Sequence, residues 1–432
     1  MIWNRKIECA TQSEIEKLQL DKLRKTLAHV YDKVPFYRTR LDSAGLAPGN
    51  VTSLKDLERI PFTTKEDLRQ NYPYDLFAVP LSKVVRIHAS SGTTGKPTVV
   101  GYTRADLDMW SECVARLVLM TGGGESDIAQ ISFGYGLFTG ALGLHNGLEK
   151  VGASVIPISS GNTERQLMVM QDFGTTILVC TPSYALYMSD VAAEQGINPR
   201  DLPVRIAMLG GEGHTLEMNA EIERRWGVIA TENYGLSEIV GPGVSGECVH
   251  KTGQHFNEDF FLPEIIDPQT GRVLHEGEEG ELVITTIDKE AFPLLRYRTK
   301  DITTLFRDTC PCGRTSLRMA RVKGRSDDML IIKGVNVYPS QVESVLLTMS
   351  GISPYYQIVL GKKGFVDTLE VHVELVDPSV LEVYSELEKV ERQVAAKLHS
   401  TLGLECKVRL REPGAIERTA GKAKRVVDNR NA

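Results

Sequence analysis

Between residues 103 and 230 the chain alternates short, apolar, β-prone runs with longer helical segments. This alternation predicts an α/β architecture with a largely parallel sheet, because parallel strands need helix-length crossovers. In such a sheet, ligands bind at the carboxyl ends of the strands, where the loops gather. The predicted strands are 128–131, 154–157, 176–180 and 204–208, and the predicted helices include 103–120, 164–173 and 183–195.

Three stretches after these strands carry residues suited to a ligand. The first, 132–138, is aromatic and glycine-rich, which is typical of the wall of an apolar pocket. The second, 209–213, is glycine-rich, so its backbone can closely approach a flat ring. The third, 233–238, which we interpret as a loop, offers an aromatic face, a small residue and a carboxylate. Each alone is typical of ordinary turns, but three at one sheet edge favour a binding site.

A further loop, Ser-Ser-Gly-Thr-Thr-Gly-Lys-Pro at 90–97, follows the β-prone run 84–87. Its glycines let backbone N–H groups close on phosphate oxygens, and its hydroxyls add donors. It is not a Walker A loop, because Gly92 and Gly95 are too close together and Pro97 replaces the metal-binding hydroxyl residue. The alternative is a polar surface loop without a ligand.

Length and charge narrow the class of protein. A chain of 432 residues predicts two or more domains, and its net charge of −6 argues against nucleic-acid binding. No apolar run is long enough to span a membrane, and seven cysteines without a secretion signal indicate a reducing cytoplasm. From residue 260 the pattern changes to strands with tight turns, which predicts an antiparallel subdomain.

Taken together, these motifs resemble the adenylate-forming superfamily of acyl-CoA synthetases, and most closely its phenylacetate–CoA ligases. The likeness covers nearly the whole chain. It rests on the loop at 90–97, Tyr-Gly-Leu-Ser-Glu at 234–238, Arg-Tyr-Arg-Thr-Lys-Asp at 296–301, Gly-Arg-Ser-Asp-Asp at 324–328 and Gly-Lys at 421–422. It implies an α/β fold with a large N-terminal adenylation domain (1–326) that includes the antiparallel subdomain, and a small mobile α+β C-terminal domain (327–432).

The resemblance also implies a reaction, its cofactors and the residues that serve it. An aryl acid, ATP and coenzyme A would react through an acyl-adenylate, with Mg²⁺ bound partly by Glu238. Tyr234 would stack on adenine, and Asp301, supported by Arg325, would bind the ribose hydroxyls. Tyr135, Gly136 and Phe138 would line the acyl pocket. The residues implied to bind the nucleotide are Ser90, Ser91, Gly92, Thr93, Thr94, Gly95, Lys96, Gly211, Glu212, Asn233, Tyr234, Gly235, Ser237, Asp301 and Arg325.

Lys422 is the expected catalytic residue of adenylation, because an ammonium on a mobile loop can meet both the substrate carboxylate and the α-phosphate. A Gly-Lys pair by itself is more typical of a solvated terminus; its place after Arg418 in the family motif favours the catalytic role. Lys424 is the alternative.

Asp327 is the expected hinge, since the family rotates its small domain between the two steps.

Four side chains predict a structural zinc site. Cys310 and Cys312 form a tight Cys-x-Cys pair, and Cys248 and His255 precede it, which completes a Cys₃His set suited to tetrahedral Zn²⁺. His250 is the alternative fourth ligand, and free thiols are the alternative to a metal site.

The primary hypothesis is an ATP-dependent arylacetate–CoA ligase, expected to be a homodimer in the cytoplasm with no membrane partner. The second hypothesis is an adenylating enzyme of the same superfamily with an acceptor other than coenzyme A. The third, from another class, is a zinc-stabilised binding or scaffold protein without catalysis. Intact Lys422, Glu238, Asp301 and Arg325 argue against the third.

Overall fold

The computed structural model describes residues 1–90, 97–332, 335–363 and 366–430. The chain divides into two compact units. The N-terminal unit comprises Met1–Cys180, Leu202–Gly211 and Thr231–Val322, and the C-terminal unit comprises Thr181–Asp201, Glu212–Ala230 and Lys323–Ala432. Two mid-chain segments therefore belong to the same unit as the C-terminal part of the chain. The domain boundary between residues 326 and 327 stays a prediction.

Several helices begin at clear capping signals. Thr64 caps α4 and Thr103 caps α5, each in a reciprocal capping box with an aspartate three residues later. In the N-terminal unit the helices are α1 (Arg5–Glu8), α2 (Gln12–Lys33), α3 (Pro35–Ser43), α4 (Lys65–Gln70), α5 (Arg104–Met120), α6 (Gly140–Val151) and α7 (Thr163–Phe173). In the C-terminal unit they are α8 (Pro182–Glu194), α9 (Leu216–Trp226), α10 (Pro339–Leu347) and α11 (Tyr384–Leu402). Short 3₁₀ helices cover Pro48–Asn50, Leu54–Arg59, Leu81–Lys83, Pro199–Asp201 and Pro378–Leu381.

One large sheet organises the N-terminal unit. Its strands run in the order β10-β11-β12-β13-β9-β8-β7-β6-β5-β3-β4. They are β3 (Ile128–Ile131), β4 (Ser154–Ile156), β5 (Ile177–Cys180), β6 (Ile206–Leu209), β7 (Ile229–Leu236), β8 (Gly241–Glu247), β9 (Gln254–Phe256), β10 (Phe261–Ile266), β11 (Glu279–Thr286), β12 (Tyr297–Phe306) and β13 (Arg318–Met319). The pairs among β3, β4, β5 and β6 are parallel, whereas β7–β13 form antiparallel pairs. Both the parallel sheet and the antiparallel subdomain are confirmed.

Two details differ from the sequence-based expectations. Asn233–Leu236 were expected in a loop, but β7 continues to Leu236 and pairs with β8, so these residues belong to a strand. The expected phosphate loop lies between β1 (Arg86–Ala89) and β2 (Val99–Tyr102), which pair antiparallel, so it joins the two strands of a hairpin. Residues 91–96 of that loop lie outside the described residues.

The core of the N-terminal unit packs the sheet against α2, α5 and α6. Large side chains with almost no exposure, such as Leu23, Trp110 and Leu144, fill it. Burial of this apolar surface is the main stabilising contribution. No helix among the described residues combines the length and the apolar composition that crossing a membrane requires.

The C-terminal unit contains a mixed sheet in the order β19-β18-β17-β20. β17 and β18 pair antiparallel, whereas β19 and β20 add to the two sides in parallel. The alternating residues Ile358, Leu360, Val371 and Val373 are buried in its core. The strands of the unit are β14 (Gly324–Arg325), β15 (Leu330–Ile332), β16 (Val335–Val337), β17 (Ile352–Lys363), β18 (Val366–Leu375), β19 (Lys407–Arg411) and β20 (Val426–Asp428). Of these, β15 and β16 pair with each other in a separate two-stranded sheet.

Candidate functional site

Tyr234 and Asp301, the residues expected at adenine and at ribose, are brought together. The Tyr234 hydroxyl on β7 donates a hydrogen bond of 2.5 Å to Asp301 Oδ2 on β12. Asp301 is only 8% exposed, and its backbone N–H donates to Thr299 Oγ1 at 3.1 Å. A carboxylate held in this way has a fixed orientation beside an aromatic ring. This arrangement suits the ribose and base of a nucleoside.

The glycine-rich loop after β6 lies against β7. Asn233 Nδ2 donates to the carbonyl of Leu209 at 2.7 Å. A Cβ atom at Gly210 would stand 2.9 Å from both the carbonyl and the side-chain oxygen of Asn233, closer than a real Cβ contact. Glycine at this position therefore permits the close approach of the loop to the strand.

Glu238, the expected magnesium ligand, lies after β7 and is 5% exposed. Its Oε1 lies 3.5 Å from Lys65 Nζ, an ion pair that sequence reasoning missed. Ser237 Oγ lies within hydrogen-bonding distance, 3.1 Å, of Thr139 Oγ1. Because Lys65 opens α4 at an ordinary helix start, no local signal connects it with Glu238.

A second lysine near Glu238 was also missed. Lys289 is buried, and its Nζ donates to the carbonyl of Ile239 at 2.5 Å. The ammonium lies 4.7 Å from the ring centroid of Tyr102, a cation–π contact. Burial lowers the pKa of Lys289 to about 8, although the charges of Asp106 and Glu238 oppose this shift. Lys289 anchors the turn that carries Glu238.

Among the residues expected to bind phosphate, Ser90 lies in the described part of the chain. Its backbone N–H donates to the carbonyl of Thr98 at 3.0 Å, and its hydroxyl accepts from the N–H of Thr98 at 3.2 Å. These two bonds close the base of the loop. Ser91, Gly92, Thr93, Thr94, Gly95 and Lys96 lie outside the described residues.

The expected acyl-pocket loop is fixed through Tyr135. The Tyr135 hydroxyl lies 3.1 Å from His145 Nδ1, and His145 Nε2 lies 3.0 Å from Glu149 Oε1. The half-buried Tyr135 ring is thus held by α6, whereas Phe138 is 51% exposed and Gly136 is exposed. Burial raises the pKa of Tyr135, so its hydroxyl stays protonated.

Lys422, Glu212 and Arg325 belong to the C-terminal unit. The side chain of Lys422 is exposed. The Glu212 carboxylate accepts hydrogen bonds of 2.8 Å from the backbone N–H groups of Ser183 and Ala423. Sequence reasoning assigned Glu212 to nucleotide binding, and its contact with the lysine loop was missed because it joins positions 211 residues apart.

The expected hinge lies in a turn between β14 and β15. Arg325 forms a bidentate ion pair with Asp327, with distances of 2.9 and 3.0 Å. Burial raises the pKa of Asp328, while the charges of Arg325 and Lys422 oppose the shift. Within the C-terminal unit, the charge of Lys422 therefore acts on Asp328, the residue next to the expected hinge.

The four predicted zinc ligands lie together in the N-terminal unit. One ligand atom from each of Cys248, His255, Cys310 and Cys312 lies within 4.8 Å of the others. Cys248 Sγ is 3.6 Å from Cys310 Sγ, too far for a disulfide, and Cys312 Sγ is 3.4 Å from His255 Nε2. His250, the alternative ligand, is exposed and is not part of this group.

The surroundings of the cluster favour a ligand role for His255. Its Nδ1 lies 3.0 Å from Ser316 Oγ, which leaves Nε2 directed at the thiols. A hydrogen bond on the distal nitrogen is typical of metal-ligating histidines. A hydrogen bond from Cys248, followed by one from His255, lowers the pKa of Cys312, so this thiol is readily present as thiolate.

Comparisons with known proteins identify the family of this chain. The family model for the AMP-binding enzymes matches residues 11–287, and the model for the AMP-binding enzyme C-terminal domain matches residues 334–430. The phenylacetate–coenzyme A ligase of Thermus thermophilus is 47% identical to this chain in an alignment of 444 positions, which covers 100% of both chains. That of Aromatoleum evansii is 48% identical over 427 residues, which cover 98% of this chain and 96% of the relative.

A solved structure matches the whole architecture. The crystal structure of 2-hydroxyisobutyryl-CoA ligase in the postadenylation state, in complex with R3-HIB-AMP, aligns with a TM-score of 0.94 at 29% identity. The alignment covers 99% of this chain and 92% of that chain. The fold is the adenylate-forming enzyme fold, with a large N-terminal α/β domain and a C-terminal domain. The chain therefore belongs to the AMP-binding enzyme family and, within it, groups with the phenylacetate–coenzyme A ligases.

Proposed function

We propose that this chain ligates phenylacetate to coenzyme A through an acyl-adenylate and releases AMP and pyrophosphate. The observation that carries the proposal is the Tyr234–Asp301 pair, which supports a nucleoside site in a chain 47% identical to a phenylacetate–coenzyme A ligase over its full length. The oxygen of the acid attacks the α-phosphorus of ATP, and the bond to pyrophosphate breaks. The coenzyme A thiol, after losing its proton, then attacks the carbonyl carbon, and AMP leaves.

The first step brings two anions together, so the site must neutralise charge and align the reacting atoms. Asp301 accepts hydrogen bonds from the ribose hydroxyls, and the Tyr234 ring stacks on the base. Asn233, Gly211 and Gly235 border the ring, and Arg325 supports the ribose after leaving its ion pair with Asp327. Ser90 to Lys96 hold the pyrophosphate end of the nucleotide.

We infer that Glu238 would help to hold a Mg²⁺ ion, beside the nucleotide-binding residue Ser237. A carboxylate oxygen is a preferred ligand of this hard cation, and Glu238 is anchored by Lys65 and by the turn that Lys289 holds. When bound, Mg²⁺ would neutralise phosphate oxygens of ATP. The protein side chains orient the carboxylate and keep the nucleotide in position.

Lys422 supplies the positive charge that meets both the attacking carboxylate and the α-phosphate. Its side chain is exposed on a loop whose backbone is hydrogen-bonded on both sides of the residue, which favours this role over that of a solvated terminus. Lys424 is the alternative.

The C-terminal domain begins near Asp327, the hinge on which it turns between the two steps. An Asp327→Pro variant should lose steady-state turnover; unchanged turnover would reject the hinge.

The acyl pocket accepts an aromatic acid. Tyr135 presents a ring whose hydroxyl is already bonded to His145, so a substrate meets its apolar face. Gly136 leaves room beside it, and Phe138 is available to close the wall. An apolar wall with few charges suits a phenyl ring on a short acid.

We further propose that Cys248, His255, Cys310 and Cys312 hold a structural Zn²⁺. Tetrahedral zinc places sulfur atoms about 3.8 Å apart, and sulfur and nitrogen about 3.5 Å apart. The observed distances of 3.6 and 3.4 Å fit this geometry. The ion would link β9 and the turn after β8 to the segment before β13. It would take no part in the ligation reaction.

The protein is proposed to work as a homodimer in the cytoplasm. The compartment is supported by the seven cysteines, none of which forms a disulfide. Analytical ultracentrifugation of the purified protein tests the oligomeric state, since a single species at the monomer mass would reject the dimer.

A substrate panel tests the proposed function. Purified protein with ATP, Mg²⁺ and a set of acids should release AMP with phenylacetate in a reaction that requires coenzyme A. AMP release that needs no coenzyme A but requires another acceptor would instead support the hypothesis of a different acceptor. Absence of any acyl-adenylate with any acid would reject both.

A further inference from the structure

Lys422 has an exposed side chain but a backbone that is clamped on both sides. On one side, the carbonyl of Gly421 accepts a hydrogen bond of 3.1 Å from Thr181 Oγ1. On the other side, the backbone N–H of Ala423 donates to Glu212 Oε2 at 2.8 Å. Both partners belong to the same compact unit as the lysine loop. We propose that Glu212 is a positioning residue that holds Lys422 in place for the adenylation step.

Local structure explains why a carboxylate occupies this position. Gly211 has a φ of +84°, which turns the chain so that the next side chain folds back toward α8. Glu212 Oε1 then accepts a 2.8 Å hydrogen bond from Ser183 N–H in the first turn of α8. Free N–H groups and the helix dipole favour a negative charge there. The second oxygen is thereby aimed at Ala423.

Thr181 completes the clamp from the same helix terminus. It is the N-cap of α8, and its hydroxyl accepts from Tyr184 N–H at 3.2 Å while donating to Gly421. The first turn of α8, with Glu212 on it, therefore fixes the backbone immediately before and after Lys422. Both hydrogen bonds go to the backbone beside Lys422 and not to its ammonium, so both residues act through the backbone.

The clamp has a consequence for the two-step reaction, and this part rests on the proposed function. Glu212 and Thr181 precede the expected hinge at Asp327, whereas Gly421 and Ala423 follow it. A rotation about Asp327 between the steps must break these hydrogen bonds. The clamp therefore serves the state in which Lys422 assists adenylation, and it contributes nothing to thioester formation.

A half-reaction assay tests the inference. In Glu212→Gln, one acceptor oxygen becomes an NH₂ donor that faces a backbone N–H. We expect phenylacetate-dependent ATP–pyrophosphate exchange to fall at least about 10-fold, since hydrogen bonds to charged groups are the strong ones. Thioesterification of supplied phenylacetyl-adenylate should stay within about twofold of wild type. A displaced Lys422 side chain lowers only the rate of the adenylation step.

The matched control is Glu223→Gln. Glu223 also accepts a hydrogen bond from a backbone N–H, that of Ala230 at 2.9 Å, but it does not contact the lysine loop. Both half-reactions should be unchanged in this variant. In the double variant Glu212→Gln/Lys422→Ala, exchange should be no lower than in Lys422→Ala alone, because Glu212 acts through Lys422.

Amide hydrogen exchange tests the clamp independently of activity. Peptides containing Ala423 should exchange at least about 10-fold faster in Glu212→Gln than in wild type, and peptides containing Ala230 should not change. Equal losses in both half-reactions, additive losses in the double variant, or unchanged exchange at Ala423 would each overturn the inference. Absence of pyrophosphate exchange in the wild type would instead reject the proposed substrate, and the Ala423 measurement would still decide the clamp.

Discussion

The Tyr234 hydroxyl donates a 2.5 Å hydrogen bond to Asp301, although their strands, β7 and β12, are separated in the sheet by β8, β9 and β13. Two strands so far apart in the strand order can meet only where the sheet curls back on itself. The curvature of the antiparallel part therefore brings together the two sides of the proposed nucleoside site, which carry the family motifs at 234–238 and 296–301.

Removing the tyrosine hydroxyl should weaken ATP binding more than the chemical step. In Tyr234→Phe the aromatic ring remains, but Asp301 loses the partner that fixes its orientation. We expect KM for ATP to rise about 3- to 10-fold, which corresponds to the net contribution of one ordinary hydrogen bond, about 0.5–1.5 kcal/mol, with kcat less affected. Tyr31→Phe is the control, because Tyr31 donates a comparable 2.7 Å bond to Asp42 on an exposed surface. Unchanged KM for ATP in Tyr234→Phe would contradict the role.

Zinc content tests the proposed metal site directly. Elemental analysis of the purified protein should find close to one Zn²⁺ per chain, and Cys312→Ser should lose most of it, because one of four ligands is removed. Cys406→Ser serves as the matched control, since Cys406 is a half-buried thiol outside the cluster. Less than about a tenth of an equivalent of zinc in the wild type would reject the site.

Stability should depend on pH through Glu232, which neighbours Asn233 in β7. Burial raises the pKa of Glu232 to about 7, with Arg321 opposing the shift and Glu247 adding to it. Because the folded chain binds this proton more tightly than the unfolded chain, the group favours folding at low pH. That contribution is lost as the pH rises from about 4.5 through 7.

Comparing two proteins isolates the effect of Glu232. Glu232→Gln cannot ionise, so its stability relative to wild type should increase between pH 5 and pH 8, by on the order of 1–3 kcal/mol. Thermal unfolding at the two pH values measures this difference. Glu276→Gln, at an exposed position, should show no such change. Parallel pH profiles for wild type and Glu232→Gln would show that Glu232 is ionised throughout this range.

The regular elements could be predicted because their signals are local. The run at 177–180 is uniformly apolar and β-prone, and it forms the fully buried β5. Thr103 and Asp106 form a capping box, which predicts the start of α5. By contrast, β20 was missed, because Val426–Asp428 becomes a strand only by pairing in parallel with β17, far away in sequence.

The residues of the candidate site that belong to a sequence motif could be predicted. Contacts between residues that lie far apart in the sequence could not. The four proposed zinc ligands were predicted from their residue types, and the structure brings their side chains together. The ion pair of Lys65 with Glu238 and the hydrogen bond from Ala423 to Glu212 are tertiary contacts. Nothing in the sequence near Lys65 distinguishes it from an ordinary helix residue, and the glycine-rich stretch around Glu212 pointed to a nucleotide and not to the lysine loop.

The role of Lys422 is tested most directly by measuring the two half-reactions of Lys422→Ala beside Lys424→Ala. Loss of the ammonium that meets the carboxylate and the α-phosphate should reduce phenylacetate-dependent ATP–pyrophosphate exchange at least about 100-fold, while thioesterification of supplied phenylacetyl-adenylate is largely spared. Lys424→Ala should retain exchange. Equal loss of both half-reactions in Lys422→Ala, or full exchange activity without Lys422, would contradict the account.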